Sequence, residues 1–338
     1  MPSLKSDARL NAMRTPIILL LLGAATVATI LLFRSNPPSL VEQDVPDRDA
    51  SYVLLFVGDI ILDRGVEHMV KTQGENSWMF PLAPVAEYLK EADFLFGNLE
   101  SVISDKGHNV GSIYSFRAHP ASMEALTTAG FDMVSVANNH SFDYTIEAFA
   151  DSLKRLEGAS ILYTGGGFTN REARAPSLFS LPNGTTIGVV AYTTVGSPSW
   201  EATENRAGIA WIDEARLNQL REDIANTKKV ADIVITSFHF GEEYQPAPSS
   251  FQRTIGETAI EAGADIVVGH HPHVLQPLEQ YQNGWIAWSL GNFLFDQYFS
   301  QETMQGAILR VEVQDKNITS VNLVRTKQNE FYQVELAE

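Results

Sequence analysis

Short apolar runs ending on polar or ionisable residues recur along the chain, and helix-like stretches separate them. YVLLFVGD ends at Asp59, ADFLFGNLE at Asn98 and Glu100, and FDMVSVANNH at Asn138, Asn139 and His140. ADIVITSFHF reaches His239, and ADIVVGHHPH ends with His270, His271 and His273. Between these runs lie PLAPVAEYLKEA, PASMEALTTAG, TIEAFADSLKRLEG and SSFQRTIGETAIEAG, several of them closing on a glycine suited to a helix C-cap. Apolar runs alternating with amphipathic segments predict an α/β domain with a largely parallel core. In such sheets ligands bind beyond the carboxyl ends of the strands, so all five polar ends are expected on one edge.

The Asn183-Gly184 pair in LPNGTTIGVVAY signals a hairpin. From Gln280 onward, YQNGWIAWSLGNF, GAILRVEV and ITSVNLVRT read as successive antiparallel strands, which predicts two packed sheets with helices outside. TGGGFTN, Thr164 to Asn170, lacks the strand and helix context of a dinucleotide site and reads as a loop.

The N-terminus has a different pattern. Residues 1–15 carry Lys5, Arg9 and Arg14 against one acid, Asp7, and PIILLLLGAATVATILLF follows over residues 16–33 without a charge. As a helix this run spans roughly 27 Å, close to the ~30 Å hydrocarbon core of a bilayer. We expect an uncleaved single-pass anchor with a cytoplasmic N-terminus and an extracytoplasmic main domain. A cleaved signal peptide is the rival reading. Residues 34–51, rich in Pro, Asp and Ser, read as a linker to a domain spanning residues 52–338.

Composition narrows the chemistry. The 338 residues carry a formal net charge of -17, which argues against nucleic acid as a partner. With no cysteine, disulfides, thiolate metal sites and a cysteine nucleophile are all excluded. A metal would have to use His, Asp, Glu or Asn, and five of the eight histidines sit at the strand ends above. Each of these positions also has a structural reading, as a hydrogen-bonded histidine, a capping aspartate or a turn-forming asparagine. Their joint occurrence favours a site. Arg117 in YSFRAHP could hold a carboxylate or phosphate, or form a surface ion pair. Glu242, Glu243 and Tyr244 read first as a solvated loop and second as part of the cleft, and Asn292 in SLGNF first as a turn residue and second as part of the site lining.

Taken in order, GDIILDRG, FGNLES, YSFRAHP, ANNHSFDY, HFGEEY, GADIVVGHHPHVLQP and SLGNFLFD resemble the CapA-like poly-γ-glutamate capsule biosynthesis proteins over about Val53 to Asp296. The resemblance implies a membrane-anchored protein on the outer face of a bacterial membrane. It would act in synthesis or export of poly-γ-glutamate or a related anionic polymer, beside capsule synthesis and export membrane proteins. That family is similar to the calcineurin-like metallophosphoesterases, which implies a four-layer αββα sandwich and one or two divalent ions (Mn, Fe or Zn). Carried over by motif, the ligands would be Asp59, Asn98 or Glu100, Asn139, His239, His271 and His273, with His140 at the scissile phosphate and leaving group.

Two positions depart from the superfamily pattern. Ile61 stands where a second ligand of the first motif is usual, and Asn98 stands where a bridging aspartate is usual, with Glu100 nearby as a substitute. Three functions follow from this pattern: a metal-containing capsule assembly factor, a metal-dependent phosphoesterase of envelope or periplasmic substrates, or a metal-free scaffold of the same fold. In an extended backbone His271 and His273 would share a side, and His270 would point away.

Overall fold

The computed structural model describes residues 51–337. The expected cytoplasmic segment, anchor and most of the linker, residues 1–50, lie outside the described residues. Among the described residues no helix is long and apolar enough to cross a membrane.

Two large mixed sheets form the core of the domain, beside two small two-stranded ones. The larger runs in the order Val334–Leu336, Asn317–Gln328, Gln305–Gln314, Tyr52–Ile60, Phe94–Leu99, Met133–Ser135, Leu162–Thr164, with Asn292–Leu294 parallel to the end of Tyr52–Ile60. The smaller runs Leu278–Tyr281, Gly284–Ala287, Ile266–His270, Ile233–His239, Thr186–Thr193, Ser177–Ser180. The strands that deliver the polar ends pair in parallel within each sheet: Tyr52–Ile60 with Phe94–Leu99, Phe94–Leu99 with Met133–Ser135, and Ile233–His239 with Ile266–His270.

Side-chain alternation explains the layering. Leu54 and Phe56 point between the sheets, where they join Phe94, Phe96, Ile233, Ile235, Ile266 and Val268. Leu55 and Val57 point the other way, into a cluster with Val66, Val70, Phe149 and Leu153 from the helices Arg64–Thr72 and Thr145–Gly158. On the far face of the smaller sheet, Val234 and Val267 pack on Leu220 and Ile224 of the helix Leu217–Thr227 and on Ile255 and Ala259 of Ser250–Glu261. Helices therefore cover both outer faces. Because the central strands are covered on both sides, they read as continuous apolar runs rather than alternating ones.

Local chemistry sets the element ends. Ser249 accepts from Gln252 N at 3.2 Å while the Gln252 side chain accepts from Ser249 N at 2.9 Å, a reciprocal cap at the start of Ser250–Glu261. Gly130 closes the helix Met123–Ala129 with φ 84°. The hairpin at Asn183-Gly184 joins Ser177–Ser180 to Thr186–Thr193 as expected.

Three expectations are revised. PLAPVAEYLKEA yields only the short turns Phe80–Leu82 and Ala86–Leu89, since Pro81 and Pro84 each remove a backbone donor. TGGGFTN contains a two-residue strand, Gly166–Gly167, paired with Gly208–Ile209. YQNGWIAWSLGNF is not one run of neighbouring antiparallel strands. Gly284–Ala287 is antiparallel to Leu278–Tyr281 but parallel to Ile266–His270, and the chain then crosses to the larger sheet, where Asn292–Leu294 pairs in parallel.

Candidate metal centre and active site

The carboxyl ends of both sheets meet at one edge. Asp59 is placed there by a close backbone approach. A Cβ on Gly58 would fall 2.0 Å from Gly291 O, and with none present Asp59 N donates to that same oxygen at 3.0 Å. The register of Tyr52–Ile60 against Phe94–Leu99 slips between Phe56 and Asp59. This irregularity turns the carboxylate toward the smaller sheet, where Asp59 Oδ2 accepts from His271 N at 3.1 Å.

Glu100 is the centre of the cluster. Its side chain is wholly buried, and Oε1 has no hydrogen-bond partner. That oxygen lies 3.8 Å from the Nε2 atoms of His140, His239 and His273. Burial, followed by the neighbouring Asp59 carboxylate, pushes the Glu100 carboxyl well above its ordinary range. Burial would raise Asp59 too, but His270 and His273 beside it hold it well below the usual carboxylate range. Two carboxylates in one pocket thus have opposite proton affinities.

His273 is orientated from behind. His273 Nδ1 pairs with Asn292 Oδ1 at 2.9 Å; as the donor there, it leaves the Nε2 lone pair facing Glu100. Asn292 is fixed in turn by donating to Thr303 O at 2.9 Å and Gln297 Oε1 at 3.0 Å. His239 Nε2 sits 2.7 Å from Asn139 Oδ1, and its Nδ1 lies 3.2 Å from Asn98 Nδ2. Burial drives His239 well below the ordinary histidine range, and burial followed by His273 lowers His271 to about 3. Both rings are therefore neutral at physiological pH, the form that binds metals.

His140 forms a dyad with Asp143, Nδ1 to Oδ2 at 2.6 Å, and stacks on Phe116 at 4.0 Å between ring centroids. Asp143 also accepts from Phe116 N at 2.9 Å. Asp143 is absent from the residues expected at the site; its signal in the sequence is its place three positions after His140 in ANNHSFDY.

Asn98 behaves as a neutral clamp. Its amide donates to Asp59 Oδ1 at 2.8 Å, and its oxygen accepts from Asn138 at 3.3 Å. Ile61 packs in the apolar layer beneath the helices. Nearby, Tyr244 N donates to Pro272 O at 2.8 Å and holds the GEEY loop against the histidine turn. A Glu243 carboxylate oxygen comes close to His271 and His273. Two donor groups, Asp59–Glu100–His273 and Glu243–His271–His273, each fall within 4.8 Å and share His273.

Two sequence expectations are corrected. The strand ends at His270, and His271 and His273 have φ of 93° and 57°. This left-handed turn brings both rings to the edge without an extended backbone, and His270 faces Asp59, with Nδ1 3.4 Å from Oδ1, rather than pointing away. Arg117 is not among the residues that line the cavity beside the site. Its guanidinium donates to Lys106 O at 2.9 Å and lies 4.3 Å over the Tyr144 ring, because the donation of Arg117 N to Asp63 Oδ2 fixes the backbone there. The cavity beside His140 and His273, about 260 Å³, is lined by Arg64 instead.

The donor set fits a divalent ion. It contains only oxygen and imidazole nitrogen, it includes the partnerless Glu100 Oε1 and the buried, partnerless Nδ1 of His271, and it places donors a few ångströms apart. Donors that share one ion at bond lengths of about 2.0–2.2 Å have such separations.

Residues 53–297 match the family described as bacterial capsule synthesis protein PGA_cap, and the chain belongs to that family. The capsule biosynthesis protein CapA of Bacillus anthracis is 28% identical over 95% of this chain and 77% of its own length. The PGA biosynthesis protein CapA of Bacillus subtilis is 32% identical over 72% of this chain, and the match spans 63% of that protein. The crystal structure of a novel phosphatase from Mycoplasma pneumoniae shares the fold at 15% identity, with a TM-score of 0.51 over 84% of this chain and 96% of the other.

Proposed function

We propose that this chain is a membrane-anchored, extracytoplasmic accessory protein in the synthesis or export of a poly-γ-glutamate-type capsule polymer, built as a four-layer metallophosphoesterase-like sandwich. We propose further that it works through a divalent-metal centre at the shared sheet edge. Family membership supports the polymer. The metal rests on one observation, the buried Glu100 Oε1 without a hydrogen bond, 3.8 Å from three imidazole nitrogens. An unpaired buried carboxylate oxygen is costly, and a cation compensates it.

In this reading Asp59, Glu100, Asn139, His239, His271 and His273 hold metal, with Glu243 at the rim and Asn98 keeping Asp59 in place. A bound ion would supply Lewis acidity and a lowered water pKa. His140, steered by Asp143, faces the same space and is positioned to give a proton to a leaving oxygen or nitrogen. The capsule partners would be membrane proteins of synthesis and export, together with the anionic polymer itself.

A second reading, a phosphoesterase of envelope or periplasmic substrates, is favoured by the His140–Asp143 dyad at 2.6 Å. Metal analysis of the purified protein, followed by turnover of a γ-glutamyl oligomer and of a chromogenic phosphodiester, separates the two. Absence of Mn, Fe and Zn, with no thermal stabilisation on adding any of them, overturns the metal centre and leaves the metal-free scaffold.

A further inference from the structure

We infer that Arg64 is the anion-anchoring residue of the cavity, where its guanidinium takes an oxyanion of the substrate, a carboxylate or a phosphoryl group, beside His140 and His273. The inference rests on the reading of this cavity as the reactive one. Arg64 is the one cation among the described residues that line it.

The backbone is held in an unusual shape to present this side chain. Arg64 has φ 54°, in the left-handed region that a non-glycine residue enters at a cost. Asp296 stabilises this conformation by accepting from Gly65 N at 2.9 Å. A Cβ on Gly65 would stand 2.8 Å from Asp296 Cβ, so the approach requires glycine. The same carboxylate grips the guanidinium, with Nε to Oδ2 at 3.1 Å and Nη2 to Oδ1 at 2.7 Å. The guanidinium lies 4.8 Å over the Phe116 ring, which itself stacks on His140. Arg64 is thereby fixed in direction relative to the dyad.

A guanidinium has five N–H groups, and the pair with Asp296 uses two of them. Asp296 is nearly buried, whereas the Arg64 side chain keeps 35% of its exposure. Arg64 lines a cavity that the exposed aromatic side chains of Tyr114, Tyr298 and Phe299 share with the carboxylates of Glu243 and Asp296. The aromatic side chains lower the local dielectric and strengthen a charge-assisted hydrogen bond. Arg117, the arginine expected from the sequence, is not among the residues that line this cavity; its guanidinium donates to Lys106 O and packs on Tyr144.

Two substitutions test the assignment in the full-length protein. Arg64→Lys keeps the charge but loses the fork; Arg64→Gly removes the side chain at a φ that suits glycine. The probes are inorganic phosphate and a γ-linked glutamate pentamer, titrated by calorimetry with and without added Mn, and metal content is measured separately. We expect wild type to bind at least one probe, and both variants to bind it about tenfold or more weakly, as for the loss of a forked charge-assisted contact, with metal content unchanged. Weakening for phosphate alone assigns a phosphoryl group, and weakening for the pentamer alone assigns a carboxylate. Wild-type affinity in Arg64→Lys, or no binding of either probe by wild type, overturns the proposal. Should the protein hold no metal, the function proposed above fails, while the metal-free titrations still decide the role of Arg64.

Discussion

Glu100 Oε1 and His273 Nε2 stand 3.8 Å apart although they come from different sheets, one following the strand Phe94–Leu99 and the other following Ile266–His270. The proposed centre therefore exists only when the two sheets are packed, and local unfolding of either sheet would dismantle it.

Replacing Glu100 by Gln removes the charge at nearly constant volume. We expect bound metal to fall to a tenth or less of the wild-type content by elemental analysis. Without metal, the variant should melt no lower than wild type, because the buried carboxyl is no longer desolvated. A Glu100→Gln protein that retains full metal content would remove Glu100 from the ligand set.

His140→Ala and Asp143→Asn should leave metal content intact and depress turnover of whichever substrate proves active. A loss of about 10²–10⁴-fold is expected for the histidine, the usual contribution of a general acid. A smaller loss is expected for the aspartate, which acts through the ring. Equal activity in His140→Ala and wild type would exclude the dyad from the reaction.

Metal uptake should depend on pH. Burial first, and Asp59 second, raise the Glu100 carboxyl well above 4.5, so in the metal-free protein its neutral form contributes stability that is present below pH 4.5 and is lost as pH rises through the raised value. Binding displaces that proton, so metal should stabilise the fold more at pH 8 than at pH 5. His271, lowered to about 3, is already neutral across this window and adds no slope. Calorimetry in buffers of different ionisation enthalpy reads the released proton, and a pH-independent affinity would contradict the arrangement.

Asp63 makes an independent pH prediction. Burial raises it to about 6, even though Arg117 N donates to Oδ2 at 2.6 Å, and its other oxygen is buried without a partner. Its contribution to stability is present below pH 3.8 and is lost as pH rises through about 6. Asp63→Asn should flatten the stability profile between pH 4 and 7. It should also raise stability at pH 7 by up to about 3 kcal/mol, since the rise from 3.8 to about 6 corresponds to ~1.4 kcal/mol for each pH unit. Chemical denaturation at several pH values checks both statements.

Gly269→Ala should cost more than about 3 kcal/mol or prevent folding, since rigid backbone cannot yield to the new atom. The added Cβ would meet Trp288 O at 2.0 Å. Thermal melting would show this, and a variant with the wild-type midpoint would contradict the close approach.

The alternation of apolar runs and amphipathic stretches carries the two-sheet layering, because strands covered on both faces must be apolar throughout. The same runs end on Asp59, Glu100, His140, His239, His271 and His273, and the fold brings these to one edge because parallel strands share their carboxyl ends. Absence of cysteine already limits any metal to oxygen and imidazole donors. Other features depend on backbone detail that the one-dimensional pattern does not contain. The positive φ at His271 and His273 turns His270 toward Asp59, and Asn292 becomes the hydrogen-bond partner of His273 because its strand crosses to the other sheet. Which arginine faces the cavity is likewise a tertiary outcome. Both Arg64 and Arg117 stand in motifs that announce chemistry, but Asp296 holds the first over Phe116 at the cavity, while the second donates to the Lys106 carbonyl from a backbone pinned by Asp63. The sequence by itself determined which chemical groups gather at the edge; packing determined their directions, since hydrogen bonds between residues distant in the chain, rather than local propensity, set where each side chain points.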